Sequence, residues 1–278
     1  MPSRPVAVVI LLCWAASTIW LVQRDVLPSL GVGEITFERA LAARAVEEPV
    51  EWTIYRGDEE VGSLLFLVKP AADGSCRLHS RGRIRSSLPG FREGPFEVVS
   101  EIDVDPLKRL QRLRVRLSLP ADRTEVEVLG DANPNGRFAL TARLLRDERD
   151  AMTPRKVELD VDPRMMVLDV FGQIDRLPDL RPGKTWTTQF VNPMRALAGG
   201  LLTPGASMDV VQNTVVDSEP IDWRGESALC YKVEHRHGPA TTHSWARVKD
   251  GKVLVQEAYF AGERYRLVAQ PPADAAGP

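Results

Sequence analysis

Three histidines in the carboxyl-terminal third of the chain have a spacing that could support metal chemistry. His235 and His237 alternate within an extended stretch, so they would share one face of a strand, and His243 could join them across a turn at residues 238–239. Three converging imidazoles would bind zinc and activate a water molecule. The whole sequence has only four histidines and lacks an H-E-x-x-H motif or a cysteine cluster. The pattern therefore favours the alternative, in which these side chains are polar surface on a hairpin.

Two cysteines, Cys76 and Cys230, lie outside the apolar amino-terminal segment. Outside the cytoplasm they could form one disulfide, which would stabilise the fold by a few kcal/mol because the closed loop is long. Both also lie in strand-like stretches, where a buried cysteine acts as a small hydrophobic side chain. A catalytic pair of Cys76 with His79 is disfavoured, because residues three apart on a strand point to opposite faces.

The other motifs that would indicate an activity are absent or ambiguous. The sequence has no G-x-S-x-G, no phosphate loop and no dinucleotide-binding fingerprint. The tripeptide at residues 56–58 spells a cell-adhesion motif, but Gly57 and Asp58 are also the residues that a hairpin turn favours. The net charge of −2 argues against a nucleic-acid partner, which would favour a basic surface. We therefore predict a protein that is not an enzyme and needs no cofactor.

Residues 6–22 contain no charged side chain and would extend about 26 Å as a helix, close to the thickness of a hydrocarbon core. Arg4 precedes this segment, whereas Arg24 and Asp25 cancel behind it, so the positive-inside rule places the amino terminus in the cytoplasm. The small residues that signal cleavage requires lie inside the apolar run, at residues 15–17. The sequence thus predicts an uncleaved single-pass anchor in the inner membrane.

This anchor sets the domain organisation. Residues 1–5 would be cytoplasmic, and the carboxyl-terminal domain would be periplasmic or extracellular. A cleaved signal peptide and a lipid-modified Cys13 are the alternatives. Residues 23–49 are predicted to form a spacer with a short helix, and residues 271–278 a disordered tail.

Residues 50–270 are predicted to form one antiparallel β domain, because apolar and polar side chains alternate there in many short runs. The chain is thus mainly all-β, and the sheet is expected to be a curved half-barrel or a sandwich. A short helix is predicted only within residues 193–202. Hairpin turns are predicted at residues 56–59, at residues 133–136 and, as a type I′ turn, at Asp250-Gly251.

One pair of strands carries an alternating charge pattern. Arginines occupy every second position from Arg112 to Arg116, and Glu125 and Glu127 alternate after the next turn. With residues 120–121 at the centre of the turn, Arg116 would face Glu125 and Arg114 would face Glu127. The sequence therefore predicts a charge ladder on a solvated face, in preference to a phosphate site.

Two segments of the β domain resemble a broad group of bacterial periplasmic β-proteins of unknown function. They are the opening at residues 52–62, with Tyr55, Gly57 and Gly62, and the W-x4-D-G-x-V-L-x-Q-E hairpin at residues 245–257. Similar β regions also precede transglutaminase-like domains. This chain has no room after residue 270 for such a domain, so the resemblance implies no activity. Some proteins of this general shape resemble lipoprotein carriers that hold acyl chains against a curved sheet.

Three functions follow as hypotheses. The first is a membrane-anchored extracytoplasmic binding or assembly module of the bacterial envelope that holds a lipid or another apolar ligand. The second is a structural subunit of an envelope or transport complex. The third is a zinc-dependent hydrolase that uses His235, His237 and His243. Sequence patterns favour the first, with the membrane and a lipid or envelope protein as partners.

Overall fold

A computed structural model describes residues 17–18, 49–85, 94–107, 109–133, 138–147, 149–159, 166–167, 175–191, 209–260 and 263–271. The predicted anchor, apart from Ser17 and Thr18, lies outside these residues. So do the predicted spacer helix, the predicted helix at residues 193–202 and the tail from residue 272. Within the described residues, no helix is long and apolar enough to span a membrane.

Alternation of apolar and polar residues produces strands throughout the β domain. The strands are β1 (Val50–Arg56), β2 (Glu59–Pro70), β3 (Cys76–Ile84), β4 (Phe96–Val104), β5 (Leu110–Leu119), β6 (Thr124–Ala132), β7 (Phe138–Arg146), β8 (Arg149–Asp150), β9 (Arg155–Leu159), β10 (Met166–Val167), β11 (Thr185–Val191), β12 (Asp209–Trp223), β13 (Glu226–His237), β14 (Ala240–Arg247), β15 (Val253–Phe260) and β16 (Glu263–Ala269). The prediction of a mainly antiparallel β domain is confirmed, since only β10 and β11 pair in parallel among the described strands.

All these strands belong to one sheet. Its order is β10-β11-β12-β13-β14-β15-β16-β1-β2-β3-β4-β5-β6-β7-β8, and β9 also pairs with β7. The sheet therefore consists of two meanders that follow the chain, β1 to β8 and β11 to β16, joined where β1 pairs with β16. The two ends of this path are not paired with each other, so the described strands form an open sheet and not the two separate sheets of a sandwich.

The second meander is strongly curled. The indole N–H of Trp223, at the end of β12, donates a hydrogen bond of 2.9 Å to the carbonyl oxygen of Ala269 on β16. Four strand-to-strand steps separate these strands, which would place them about 19 Å apart in a flat sheet. Only a curled sheet brings the two strand ends within one side-chain length.

We call the face that carries the buried apolar side chains the inner face and the opposite one the outer face. The inner face includes side chains that are at most 1% exposed, among them Trp52, Leu64, Leu113 and Val233. They belong to one hydrophobic cluster that includes residues from β1 to β7 and from β11 to β16. Both meanders thus share a single core.

Three turns test the hairpin predictions. Gly57 and Asp58 form the turn between β1 and β2, with Gly57 at φ 61°, as expected. Strands β6 and β7 pair as predicted, although residues 134–137 between them are outside the described part. The type I′ prediction is wrong, because residues 248–251 form a four-residue turn in which Gly251 alone has a positive φ, 69°.

Gly251 has a second constraint beyond its backbone angle. A Cβ atom at this position would collide with the carbonyl oxygen of Leu177. The segment around Leu177 lies against the turn and is held there by two backbone hydrogen bonds. The Leu177 N–H donates to the carbonyl oxygen of Gly251 at 2.9 Å, and the Val253 N–H donates to the carbonyl oxygen of Asp175 at 2.9 Å. Leu177 is 1% exposed and belongs to the common core, so the residues near it pack on the sheet.

Candidate functional site

The three histidines of the zinc hypothesis do not converge. A two-residue turn joins β13 to β14, so His237 pairs with Ala240, His235 with Thr242 and Glu234 with His243. Directly opposed residues share a face, so His243 lies on the outer face whereas His235 and His237 lie on the inner face. No group of three or more histidine, cysteine or acidic side chains in the described residues could hold a metal ion.

His243 has different partners on the outer face. Its Nδ1 atom lies 2.9 Å from Oε2 of Glu257, and the same carboxylate oxygen accepts a 3.0 Å hydrogen bond from the His243 backbone N–H. Its ring centroid lies 5.9 Å from that of Trp245. These contacts orient His243 as a surface side chain.

His235 belongs to a chain of polar side chains on the inner face, which we call the His235 cluster: Thr188, Asn213, His235 and Ser244. Nδ1 of His235 lies 2.6 Å from Oδ1 of Asn213, and Nε2 lies 2.8 Å from Oγ of Ser244. Nδ2 of Asn213 donates 2.9 Å to Oγ1 of Thr188. Strands β11, β12, β13 and β14 each contribute one member, so adjacent strands are connected by side chains as well as by the backbone.

The direction of each hydrogen bond in this cluster is fixed by Asn213. Nδ2 of Asn213 also donates 3.3 Å to the carbonyl oxygens of Trp186 and Val211, which can only accept. Oδ1 of Asn213 must then accept from Nδ1–H of His235. The other ring nitrogen, Nε2, is left as an acceptor for the hydroxyl proton of Ser244 when the ring is neutral.

Burial keeps this imidazole neutral. Asn213 is 4% exposed, Ser244 is 2% exposed and His235 is partly buried. Desolvation, with a smaller electrostatic contribution from His243, lowers the pKa of His235 from 6.5 to about 4. At neutral pH the cluster therefore carries no charge.

The order Ser244–His235–Asn213 matches the order of a serine nucleophile, its base and an orienting residue. Two properties of the site weaken a catalytic interpretation. Ser244 lies inside β14 and is only 2% exposed, so its hydroxyl is screened from a substrate. A pKa of about 4 also makes His235 a weak general base at neutral pH. The arrangement is better suited to hold the four strands together, and only the partly exposed His235 could contact a ligand.

Other polar side chains of the inner face are also uncharged. Ser80 and Ser100 are both 2% exposed and hydrogen-bond each other across β3 and β4 at 2.7 Å. Gln256, opposite Ser244 on β15, is 6% exposed. The indole N–H of Trp52 is fully buried and has no hydrogen-bond partner in the described residues. An unsatisfied buried donor is rare in native proteins and marks a place that needs an explanation.

The arginine pattern of β5 forms the predicted charge ladder, with a different register. Arg116 is directly opposite Glu127, not Glu125, because residues 120–122 form a 3-10 turn and Arg123 follows at φ 48°. The predicted ion pairs nevertheless form diagonally. Nε of Arg114 lies 3.2 Å from Oε1 of Glu127, and Nε of Arg116 lies 3.1 Å from Oε1 of Glu125.

The ladder extends over neighbouring strands of the outer face. Arg77 pairs with Asp103 at 2.6 Å and Arg112 with Asp131 at 3.1 Å. Glu127 lies at the centre, with Arg143 as a further partner at 3.9 Å. These pairings support the solvated-face interpretation over a phosphate site, because the guanidinium groups have carboxylate partners.

Cys76 and Cys230 are both buried, and no disulfide joins them in the described structure. Cys76 begins β3, and Cys230 lies within β13. Burial raises the pKa of the Cys230 thiol to about 11, so it is protonated and unreactive at neutral pH. The alternative in which these cysteines are small buried side chains is the one the structure shows.

Sequence reasoning singled out His235 but missed Thr188, Asn213 and Ser244. The available signal was polar residues at positions where the strand alternation expects an apolar side chain, as in Ser244 between Thr242 and Ala246 on the inner face. Strand alternation alone does not show that these positions are adjacent, because Asn213 meets His235 only through the register of β12 and β13.

Comparison with known proteins does not show a family for this chain. No protein-family model matches it, and a search of curated proteins finds no match. One solved structure that resembles it is the crystal structure of a β-barrel-like protein of Domain of Unknown Function DUF1849 from Brucella abortus. The identity is 7%, the TM-score is 0.45, and the alignment covers 82% of this chain and 97% of that chain. A TM-score at this level carries no argument about function.

Proposed function

We propose that this chain is a non-catalytic binding module of the bacterial envelope, anchored in the inner membrane by residues 6–22 and working outside the cytoplasm. Its inner face would hold an apolar ligand, such as a lipid, beside the His235 cluster. The length and the flanking charges of residues 6–22 support the anchor. The His235 cluster supports the location of the ligand.

One observation carries this proposal: the cluster gathers four hydrogen-bonded polar side chains in one place on a mainly apolar face. Burying a polar side chain is costly unless it is hydrogen-bonded, and apolar residues would fill the same space at a lower cost. Sites for small molecules are mostly apolar and contain a few well-placed polar groups. The His235 cluster has this composition, since Trp186 and Val233, both buried, lie beside Asn213 and His235.

Native mass spectrometry of the full chain, purified from bacterial membranes in a mild detergent, tests the proposal. We expect a discrete added mass in the lipid range that survives detergent washing. The double substitution Asn213→Leu with His235→Phe removes both partners of a hydrogen bond together, and it should reduce the occupied fraction at least tenfold. The matched control is Ser80→Ala with Ser100→Ala, which removes another buried pair of the inner face and should keep the added mass.

A bare chain at the sequence mass, in both the natural protein and the control, would contradict ligand capture. A mass that is lost equally in both double variants would indicate a general loss of structure. Far-UV circular dichroism of each variant separates that result from a loss of binding.

Exposed apolar side chains on β12 and β13 favour a second candidate function, a structural subunit of an envelope complex. Val210, Val216 and Leu229 are 47%, 53% and 52% exposed on these adjacent strands. Apolar side chains that remain exposed mark a protein contact when they lie together. A protein-sized added mass in the same spectra, lost in a Val216→Ser with Leu229→Ser variant, would favour this function.

A further inference from the structure

Three cationic residues, which we call the cationic row, are neighbours where the turn between β14 and β15 meets the segment around Leu177: Arg176, Lys252 and Arg247. Arg176 and Lys252 are directly opposite each other in an antiparallel bridge. The two backbone hydrogen bonds of this segment, at 2.9 Å each, lie on either side of the pair and not within it. Side chains come closest at such non-hydrogen-bonded pairs. On its other side Lys252 is opposite Arg247, whose N–H donates to the Lys252 carbonyl oxygen at 2.8 Å.

The cationic row lies on the outer face of the sheet. Each of its members is next in sequence to a residue of the inner face, namely Leu177, Val253 or Ala246, and these three are at most 1% exposed. Because successive side chains of an extended segment point to opposite faces, all three cationic side chains share the outer face. All three are partly buried, so they remain accessible to an ion.

The carboxylates nearby leave the cationic row without full compensation. Oδ1 of Asp250 accepts from Nε of Arg247 at 3.0 Å, and Oδ2 accepts from Nη2 of the same residue at 2.6 Å. Asp175 precedes Arg176 in the chain, so alternation directs it to the other face. Within the described residues, the Lys252 ammonium forms no ion pair with a carboxylate.

The electrostatic effect of this arrangement falls on Lys252. Desolvation lowers the pKa of Lys252, the positive charges of Arg247 and Arg176 lower it further, and Asp250 and Asp175 oppose them. Like charges directly opposite each other destabilise a sheet. The charge ladder avoids this cost, because its arginines have carboxylate partners. In the cationic row, a bound anion would remove the cost.

We propose that the cationic row binds a phosphate group on the outer face of the sheet. Guanidinium groups match the oxygens of phosphate, and an ammonium adds a compact charge beside them. Asp250 uses Nε and Nη2 of Arg247, which leaves the Nη1 donors for a ligand. A phosphate dianion has three terminal oxygens for the three cations, whereas a carboxylate has two.

This inference goes beyond the proposed function, because the cationic row and the His235 cluster lie on opposite faces of the sheet. The phosphate group could belong to a lipid headgroup or to a soluble phosphate. Both sources present the same oxygens and charge to the row, so the experiment distinguishes them.

Isothermal titration calorimetry with inorganic phosphate tests the proposal on the full chain in phosphatidylcholine nanodiscs. The titrations are made at pH 7.5, with the ionic strength held constant by sodium chloride. We expect one saturable site, and acetate should bind about tenfold more weakly than phosphate or weaker still. Acetate binding as strong as that of phosphate would overturn the assigned ligand class.

Lys252→Gln removes the central charge of the row and should weaken phosphate binding about tenfold or more. Without phosphate, the same variant should be at least as stable to urea as the natural chain, because the repulsion between like charges is relieved. A lysine with only a structural role would lose stability when it is replaced. Arg176→Gln is a second variant at the row and should also weaken phosphate binding.

The matched control is Lys249→Gln. Lys249 is an exposed residue of the same turn and lies outside the row, so this variant makes the same change in net charge. It should keep phosphate binding within about twofold, because an exposed charge outside the site is screened by water.

Nanodiscs that also contain phosphatidic acid separate the two sources of the phosphate group. If a lipid headgroup occupies the row, inorganic phosphate binds in phosphatidylcholine nanodiscs and no longer binds in these. Equal binding in both kinds of nanodisc would identify a site for soluble phosphate, and either result supports the proposal. No phosphate binding in phosphatidylcholine nanodiscs, or binding that survives both Lys252→Gln and Arg176→Gln, would overturn it.

Discussion

The outer face of β3 to β7 and the inner face of β11 to β14 both connect neighbouring strands through polar side chains, but by different means. On the outer face, guanidinium groups and carboxylates pair across strands while most remain in contact with water, as for Arg112 and Asp131, whose side chains are 66% and 65% exposed. On the inner face, neutral groups pair where water is largely excluded, as for Asn213 at 4% exposure.

The amount of charge is thus a poor guide to which region depends on its polar contacts for stability. An exposed ion pair contributes about 0 to 1 kcal/mol, because water solvates both partners when the pair is broken. Breaking one hydrogen bond of a buried pair leaves the other partner unsatisfied, which costs about 1 to 3 kcal/mol. The neutral His235 cluster should therefore be the more sensitive region, although the charge ladder has many more contacts.

The strongest way to test this difference is the single substitution Asn213→Leu. It removes the acceptor of the His235 N–H and the donor to Thr188 and to two backbone carbonyls. We expect the free energy of unfolding to fall by about 3 kcal/mol, measured by urea denaturation. Adding His235→Phe should recover part of this loss of stability, because it removes the buried Nδ1–H donor that Asn213→Leu leaves without an acceptor. An equal loss in the single and the double variant would contradict the role of the hydrogen bond.

The pH dependence of stability gives the next largest effect. The pKa of His235 is lowered from 6.5 in the unfolded chain to about 4 in the folded chain, so the unfolded state binds more protons between these values. Stability is therefore full above pH 6.5, falls as the pH decreases towards 4, and is constant with respect to this group below 4. We expect a loss of about 2 to 3 kcal/mol across this window. Urea titrations of the natural chain and of His235→Phe measure it, and a slope that persists unchanged in the variant would assign it to other groups.

A substitution at the centre of the charge ladder should have a smaller effect. Glu127 is the least exposed residue of the ladder and lies within 4 Å of Arg114, Arg116 and Arg143. Glu127→Gln keeps the shape and removes the charge, and we expect a loss of about 1 kcal/mol that shrinks as salt is added. A loss comparable to that of Asn213→Leu would remove the distinction between the two regions.

Arg112→Ala should have the smallest effect. Its pair with Asp131 is exposed on both sides, so the expected change is below about 0.5 kcal/mol. Parallel urea titrations at low and high salt measure this change in the free energy of unfolding. A change above about 1 kcal/mol would mean that the exposed ion pairs of the ladder act cooperatively.

Local patterns were sufficient for the fold class and for much of the outer face. Alternation predicted β5 and the pairing of Arg114 with Glu127 and of Arg116 with Glu125, because charges at alternate positions meet even when the register shifts by two residues. The register shift came from the 3-10 turn at residues 120–122 and from the left-handed backbone conformation of Arg123. An arginine in the sequence does not predict that conformation.

The His235 cluster depended on information that alternation does not contain. The position of His243 could have been deduced, since a two-residue turn at residues 238–239 places it opposite Glu234 and away from His235. Asn213 could not, because its place opposite His235 depends on the register of β12, which has a bulge between Val215 and Asp217. Irregularities of this kind arise from packing between distant parts of the chain.

The pairing of β1 with β16 also determines the order in which the domain can be completed. Trp52 is opposite Ala269, so the central seam of the sheet joins residues that are 217 positions apart, whereas most other neighbouring strands follow one another directly. Contacts between distant residues form slowly, because a large loop must close before they contribute. The first meander can therefore assemble early, but β1 keeps an open edge until β16 has left the ribosome. The rate of chain synthesis thus determines how long the edge of β1 remains open to pairing with other chains.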